Sequence, residues 1–205
     1  MCGIFGGYNI NLAETEKGIN LINRGNDGIT ISELSNKIFF AARRHAIKFS
    51  GNEKSLLGSS DQPYYSKDKN IALIFNGEFY NFSDYKNDLI KDKINFKTEG
   101  DTEVLLKLYE KSGINFLRDK KIDSLYSIAI HDKKLNKIFI SRDWPGRIPL
   151  YYYHEKGRFI FSSELKAFRA INNLSLQDPI ELEPGKIIEY DIEKEELNVI
   201  SNYDL

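Results

Sequence analysis

The single cysteine of this 205-residue sequence stands at position 2, directly behind Met1. Removal of Met1 would make Cys2 the first residue, carrying a thiol and a free α-amine on one carbon framework. Their reference pKa values lie near ~8.5 and ~7.7–8.0. The thiolate is the nucleophilic form, and a terminal amine can take its proton directly or through one water, so no separate histidine is required. A lone cysteine near a terminus is equally compatible with a small buried hydrophobe, and position alone leaves both readings open.

Three further places carry polar groups that could do chemistry. Asn76-Gly77, followed by Glu78, ends the apolar run 70–75; on its own the dipeptide reads as an ordinary turn. Arg43 and Arg44 lie in a strand-like segment, 37–47, so their guanidinium groups face opposite ways and only one can enter a given pocket. Asp101 stands where a helix begins and would serve there as a cap.

The elements that must position these groups follow from periodicity and turn chemistry. Residues 3–8 read as a short buried strand, 12–23 as a helix, and 24–28 (Arg-Gly-Asn-Asp-Gly) as a turn. The stretch 50–65, rich in Gly, Ser and Asp, has the length of a binding loop. Apolar run 70–75 predicts a buried strand stopping at Asn76-Gly77, and 83–90 a helix. A clearer helix opens at 100–103, shows Val104, Leu105, Leu108 and Tyr109 on one face, and stops at Gly113. Strands are expected at 124–132, 137–142, 148–154 and 158–163, a short helix at 164–170, and extended segments at 186–191 and 197–200. Antiparallel strands flanked by a few helices define an α+β fold with stacked sheets, organised as one domain over 1–205.

Composition narrows the function classes. The 29 Lys and Arg nearly cancel the 30 Asp and Glu, leaving no global field to draw nucleic acid or an acidic membrane surface. No stretch approaches the ~18 apolar residues of a membrane span. One cysteine forms no internal disulfide and the N-terminus lacks a secretory pattern, so a cytoplasmic setting is expected. The 13% aromatic content argues for an ordered, strand-rich core.

Taken together and in order, the fragments Met1-Cys2-Gly3-Ile4-Phe5-Gly6, Arg24-Gly25-Asn26-Asp27-Gly28, Asn76-Gly77-Glu78-Phe79-Tyr80-Asn81 and Gly100-Asp101-Thr102-Glu103 resemble the class II glutamine amidotransferases. The resemblance continues through Arg142-Asp143 with Gly146 and Pro149-Leu150-Tyr151-Tyr152, then Ser163-Glu164-Leu165-Lys166-Ala167 and Pro184-Gly185. It is strongest to the glutaminase domain of asparagine synthetases. It implies an N-terminal-nucleophile hydrolase fold, a four-layer αββα sandwich of two antiparallel sheets, and glutamine as substrate. Cys2 would attack the side-chain carboxamide and pass through a glutamyl thioester. Asn76 and the Gly77 N–H would form the oxyanion hole, Arg44 would grip the α-carboxylate, and Glu78 with Asp101 would receive the α-ammonium. Arg44 is preferred over Arg43 because Arg44-His45-Ala46-Ile47 keeps the family's register.

Some positions depart from the family pattern: Asn26 stands where proline is usual, His45 where leucine is, and Asp123-Ser124-Leu125-Tyr126-Ser127 where a Gly- and Phe-rich run is. His45 reads as a packed or solvated histidine rather than a proton carrier. The sequence holds no pyrophosphate loop of the Ser-Gly-Gly-x-Asp-Ser type and no Walker pattern, so no synthetase domain is expected within it and ammonia would pass to a separate ATP-dependent partner. No cofactor or metal is expected. Two alternatives stay open: an amidase for another amide, and, if Met1 stays on, a catalytically silent regulatory or scaffold module.

Overall fold

The computed structural model describes residues 1–44, 62–155 and 157–201. Two six-stranded sheets stack face to face, and every pairing within them is antiparallel. The first is built from β1 (Gly3–Tyr8), β2 (Gly28–Ser35), β3 (Ile38–Arg44), β8 (Tyr151–Glu155), β9 (Arg158–Ser162) and β10 (Ile180–Glu181), in the order β10-β8-β9-β1-β3-β2. The second holds β4 (Tyr64–Tyr65), β5 (Ile71–Phe79), β6 (Ser124–Asp132), β7 (Lys137–Arg142), β11 (Lys186–Asp191) and β12 (Glu196–Ser201), in the order β12-β11-β7-β6-β5-β4.

Period-two alternation sorts the apolar side chains into layers. Ile4, Phe40, Ala42, Ile74, Ala129, Ile140 and Ile188 fill the space between the sheets. Their neighbours in sequence face outward. Phe5, Phe39, Ala41 and Ile160 pack under α1 (Leu12–Leu21) and the 3-10 turn Leu165–Ala170. On the other side Leu73, Phe75, Phe79 and Phe139 pack under α2 (Phe82–Lys91) and α3 (Asp101–Ser112). The result is helix, sheet, sheet, helix: the αββα sandwich.

Local chemistry explains the element ends. Asn11 caps α1 in a reciprocal capping box with Glu14, its Oδ1 accepting from Glu14 N at 2.9 Å while Glu14 accepts from Asn11 N at 3.1 Å. Gly113 ends α3 at positive φ. The sequence reading missed β2: its Ile29-Thr30-Ile31-Ser32 alternation is short, it follows the 24–28 turn directly, and none of its residues is fully buried. The helix expected at 164–170 is a 3-10 turn, and 148–150 is loop, its turn held by Asp143, whose carboxylate accepts from the N–H groups of Arg147 and Ile148 at 3.0 and 3.2 Å. His45, and the binding loop expected at 50–65 up to residue 61, lie outside the described residues. No helix among the described residues is long and apolar enough to cross a membrane.

Candidate active site

The expected stop at Asn76-Gly77 is not there. β5 runs straight through the dipeptide to Phe79, with Asn76 opposite Ser127, Gly77 opposite Tyr126 and Glu78 opposite Leu125 on β6. The glycine is needed for close approach rather than for turning. A Cβ built on Gly77 would sit 2.1 Å from the Leu125 carbonyl oxygen, so any side chain would push β6 away. The chain turns only after Phe79, where Tyr80 N–H donates to the Asp123 carbonyl at 2.9 Å and Asn81 is tied to Lys121 and Asp123.

Alternation then decides which polar groups share a space. Ile74 faces the other sheet, so Asn76 and Glu78, two and four residues on, face it too. The same step from Ala42 puts Arg44 at the inter-sheet face, and from Ile4 it puts Cys2 there. Gly3 pairs with Arg43; the same register continued by one residue sets Cys2 beside Arg44. Arg43 turns the other way, its Nε donating to the Gly25 carbonyl at 3.0 Å. That carbonyl belongs to the 24–28 turn, where Gly25 takes φ +77° and leaves no room for a Cβ, the Arg43 carbonyl oxygen lying 2.3 Å from it. Ser163 fixes the start of β1 by accepting the Ile4 N–H on its Oγ at 3.0 Å and donating its own N–H to the Ile4 carbonyl at 2.9 Å.

Asn76 is fully buried (0% exposed), and neither its Oδ1 nor its Nδ2 has a hydrogen-bond partner among the described residues. Leaving a buried amide unpaired costs about 1–3 kcal/mol, so such a group calls for an explanation. Glu78 and Asp101 also meet here. Asp101 opens α3 but does not cap it; its Oδ2 accepts the N–H of Phe79, next to Glu78, at 3.2 Å. Burial holds the Asp101 carboxyl above the usual range despite the donors around it. Burial, and then the charge of Asp101, do the same for Glu78. Two acids held together against burial, one bearing on the other, form a site that a cation would relieve.

One residue the sequence reading quoted without a role supports this arrangement. Glu103, buried in the first turn of α3, accepts the Lys97 N–H at 3.0 Å, the Thr98 N–H at 2.7 Å and the Thr98 hydroxyl at 2.8 Å. It ties down the 97–100 segment from which Asp101 emerges. The spacing of an acid three residues past Gly100 hinted at an N-terminal cap; what it caps is the incoming loop. Among the described residues no cluster of three or more His, Cys, Asp or Glu could hold a metal ion.

A sandwich of two antiparallel sheets between helical layers, with the strand leading from Cys2 at the middle of one sheet, is the architecture of the N-terminal-nucleophile hydrolases. Within that class the chain belongs to the class II glutamine amidotransferases: residues 1–191 match the family described as "Glutamine amidotransferase domain". The chain is 40% identical over 134 residues to asparagine synthetase [glutamine-hydrolyzing] 2 of Bacillus subtilis, which covers 65% of this chain and 16% of that protein. It is 32% identical over 175 residues to asparagine synthetase B [glutamine-hydrolyzing] of Escherichia coli, covering 82% of this chain and 30% of that protein. The chain thus matches well under half the length of these relatives. Among solved structures, the glutamine phosphoribosylpyrophosphate amidotransferase of B. subtilis superposes with a TM-score of 0.73 at 21% identity, covering 100% of this chain and 50% of that one. That likeness shows the shared fold.

Proposed function

We propose that the chain hydrolyses glutamine to glutamate and ammonia with Cys2, freed of Met1, as nucleophile. The observation that carries the reading is the buried, unpaired amide of Asn76, on the inter-sheet face to which alternation also assigns Cys2 and Arg44. Its Nδ2 is a donor with nothing to donate to until an oxyanion forms. Met1 is 64% exposed, which suits access by a processing peptidase.

In this reading the Cys2 α-amine takes the thiol proton as the sulfur bonds to the γ-carboxamide carbon. The carbonyl oxygen becomes an oxyanion, held by Asn76 Nδ2 and the Gly77 N–H; a donor of this kind is worth about 10²–10³ in rate. Collapse of the tetrahedral species breaks the C–N bond, the amine-borne proton goes to the departing nitrogen, and ammonia leaves. Water then attacks the γ-glutamyl thioester, and glutamate and the thiol are regenerated. Arg44 pairs with the α-carboxylate of glutamine. Glu78 and Asp101 receive its α-ammonium, which compensates the charge they carry against burial. The ammonia passes to a separate ATP-dependent acceptor-activating protein or domain of the asparagine-synthetase kind, a reading supported by the relatives' names.

The test is glutamate release from glutamine by the Met1-processed protein. Activity lost in Cys2→Ala supports the proposal; equal release by the two proteins rules out the cysteine mechanism.

A further inference from the structure

One cross-strand row runs sideways from Asn76. Asn76 on β5 pairs with Ser127 on β6, and Ser127 pairs with Arg142 on β7. Each lies two residues from an inter-sheet core position, namely Ile74, Ala129 and Ile140, so all three side chains face the same way. Ser127 is 0% exposed and Arg142 4%. Every one of them keeps a buried polar atom without a hydrogen-bond partner among the described residues: both amide atoms of Asn76, Oγ of Ser127 and Nε of Arg142.

Arg142 is not loose. Its Nη1 donates to Glu181 Oε1 at 2.7 Å and to the Leu182 carbonyl at 2.8 Å, and its Nη2 donates to the Gly146 carbonyl at 2.5 Å. The guanidinium is therefore anchored at its far end through both Nη atoms, and only Nε is left over. Directly opposite residues on adjacent strands have Cβ atoms about 4.5–5.5 Å apart, close enough for short polar side chains to join after a rotamer change.

We infer that Arg142, Ser127 and Asn76 form a directed hydrogen-bond chain that fixes and polarises the oxyanion donor, with Ser127 as its positioning residue. The inference rests on the glutamine reading above for its catalytic consequence. The direction follows from donor inventory alone. Arginine can only donate, so Ser127 Oγ accepts from Arg142 Nε–H and its single proton is left to donate onward. Asn76 must then present Oδ1 to Ser127, which turns Nδ2 toward the substrate side. The amide flip, ambiguous for an isolated asparagine, is set by a cation two strands away. Each bond in such a chain strengthens the next, so the partial charge on Nδ2–H rises as the oxyanion develops.

The chain itself is tested by Ser127→Ala, Ser127→Cys, Asn76→Ala and the double variant, all in the processed protein. Ser127→Ala is expected to lower kcat roughly five- to tenfold with KM for glutamine within about twofold, the signature of an interaction made in the transition state. Ser127→Cys, a weaker donor of similar shape, should fall between. In the Asn76→Ala background, Ser127→Ala should cost nothing further. A wild-type kcat in Ser127→Ala, or losses that multiply in the double variant, overturns the chain. A crystal structure of the wild type decides the matter without activity. Ser127 Oγ within about 3.2 Å of Asn76 Oδ1 supports the chain; a Ser127 hydroxyl bound to backbone, or Asn76 Nδ2 turned toward Ser127, overturns it. A wild-type protein inert toward glutamine would count against the glutamine reading and leave the crystallographic test standing.

Discussion

Asp101 reaches from the first turn of α3 to the end of β5, where its Oδ2 accepts the Phe79 N–H at 3.2 Å and its charge bears on Glu78. This contact sets two acids together at the rim of the inter-sheet space, where burial raises both pKa values.

The pair should trade stability for binding. A carboxyl whose folded pKa is raised holds its proton more tightly in the native state, so its contribution to stability is full below the unfolded value near ~4 and is lost as pH rises through the raised folded value. Glu78→Gln and Asp101→Asn are therefore expected to melt higher than the wild type at neutral pH while raising KM for glutamine by roughly tenfold or more. Melting curves across pH with parallel kinetics check both halves; variants less stable than the wild type with unchanged KM would contradict the assignment.

His131 should give a slope of opposite sign. It is buried between Ala72 and Ile138 in the second sheet, and burial pushes its pKa down to about 4. The unfolded chain binds the proton first, so stability is full above ~6.5 and is lost as pH falls toward the folded value, by up to about 1.4 kcal/mol per pH unit. Urea titrations at several pH values should show this fall, and His131→Asn should flatten it.

Gly77→Ala should damage fold and activity together. The added Cβ meets the Leu125 carbonyl oxygen at 2.1 Å, so β5 and β6 must separate or slip. A loss of about 1–3 kcal/mol is expected in urea unfolding. Glutamate release should vanish because the Gly77 N–H moves with its strand.

Glu103→Ala leaves the N–H groups of Lys97 and Thr98 without their acceptor and frees the segment preceding Asp101. Stability should fall by about 1–3 kcal/mol. KM for glutamine should rise with kcat nearly preserved, because only the side proposed to receive the ammonium is disturbed; a matching loss in kcat would place Glu103 closer to the reacting atoms.

Much of the sandwich was legible because its strands carry continuous apolar runs, as 71–75, 128–130 and 159–161 do. β2 was not, since a half-exposed edge strand with one short Ile29-Thr30-Ile31-Ser32 alternation gives only a weak signal. The Asn76-Gly77 dipeptide misled for a different reason. Its local preference is for a turn, yet β6 lying flat against Gly77 supplies a partner that only tertiary structure reveals. Arg43 and Arg44 could be assigned to opposite faces from alternation, and the Arg43 bond to Gly25 shows which face is not the inner one. Ser127 and Arg142 drew no attention as a pair, because fourteen residues of hairpin lie between two positions that register makes adjacent.

The central claim is that Cys2 carries the glutamyl group, and the N-terminal peptide of protein acid-quenched during glutamine turnover tests it most directly by mass. The account predicts a peptide beginning at Cys2, part of it bearing a glutamyl thioester. A peptide beginning at Met1, or one that stays unmodified while glutamate accumulates, would contradict it.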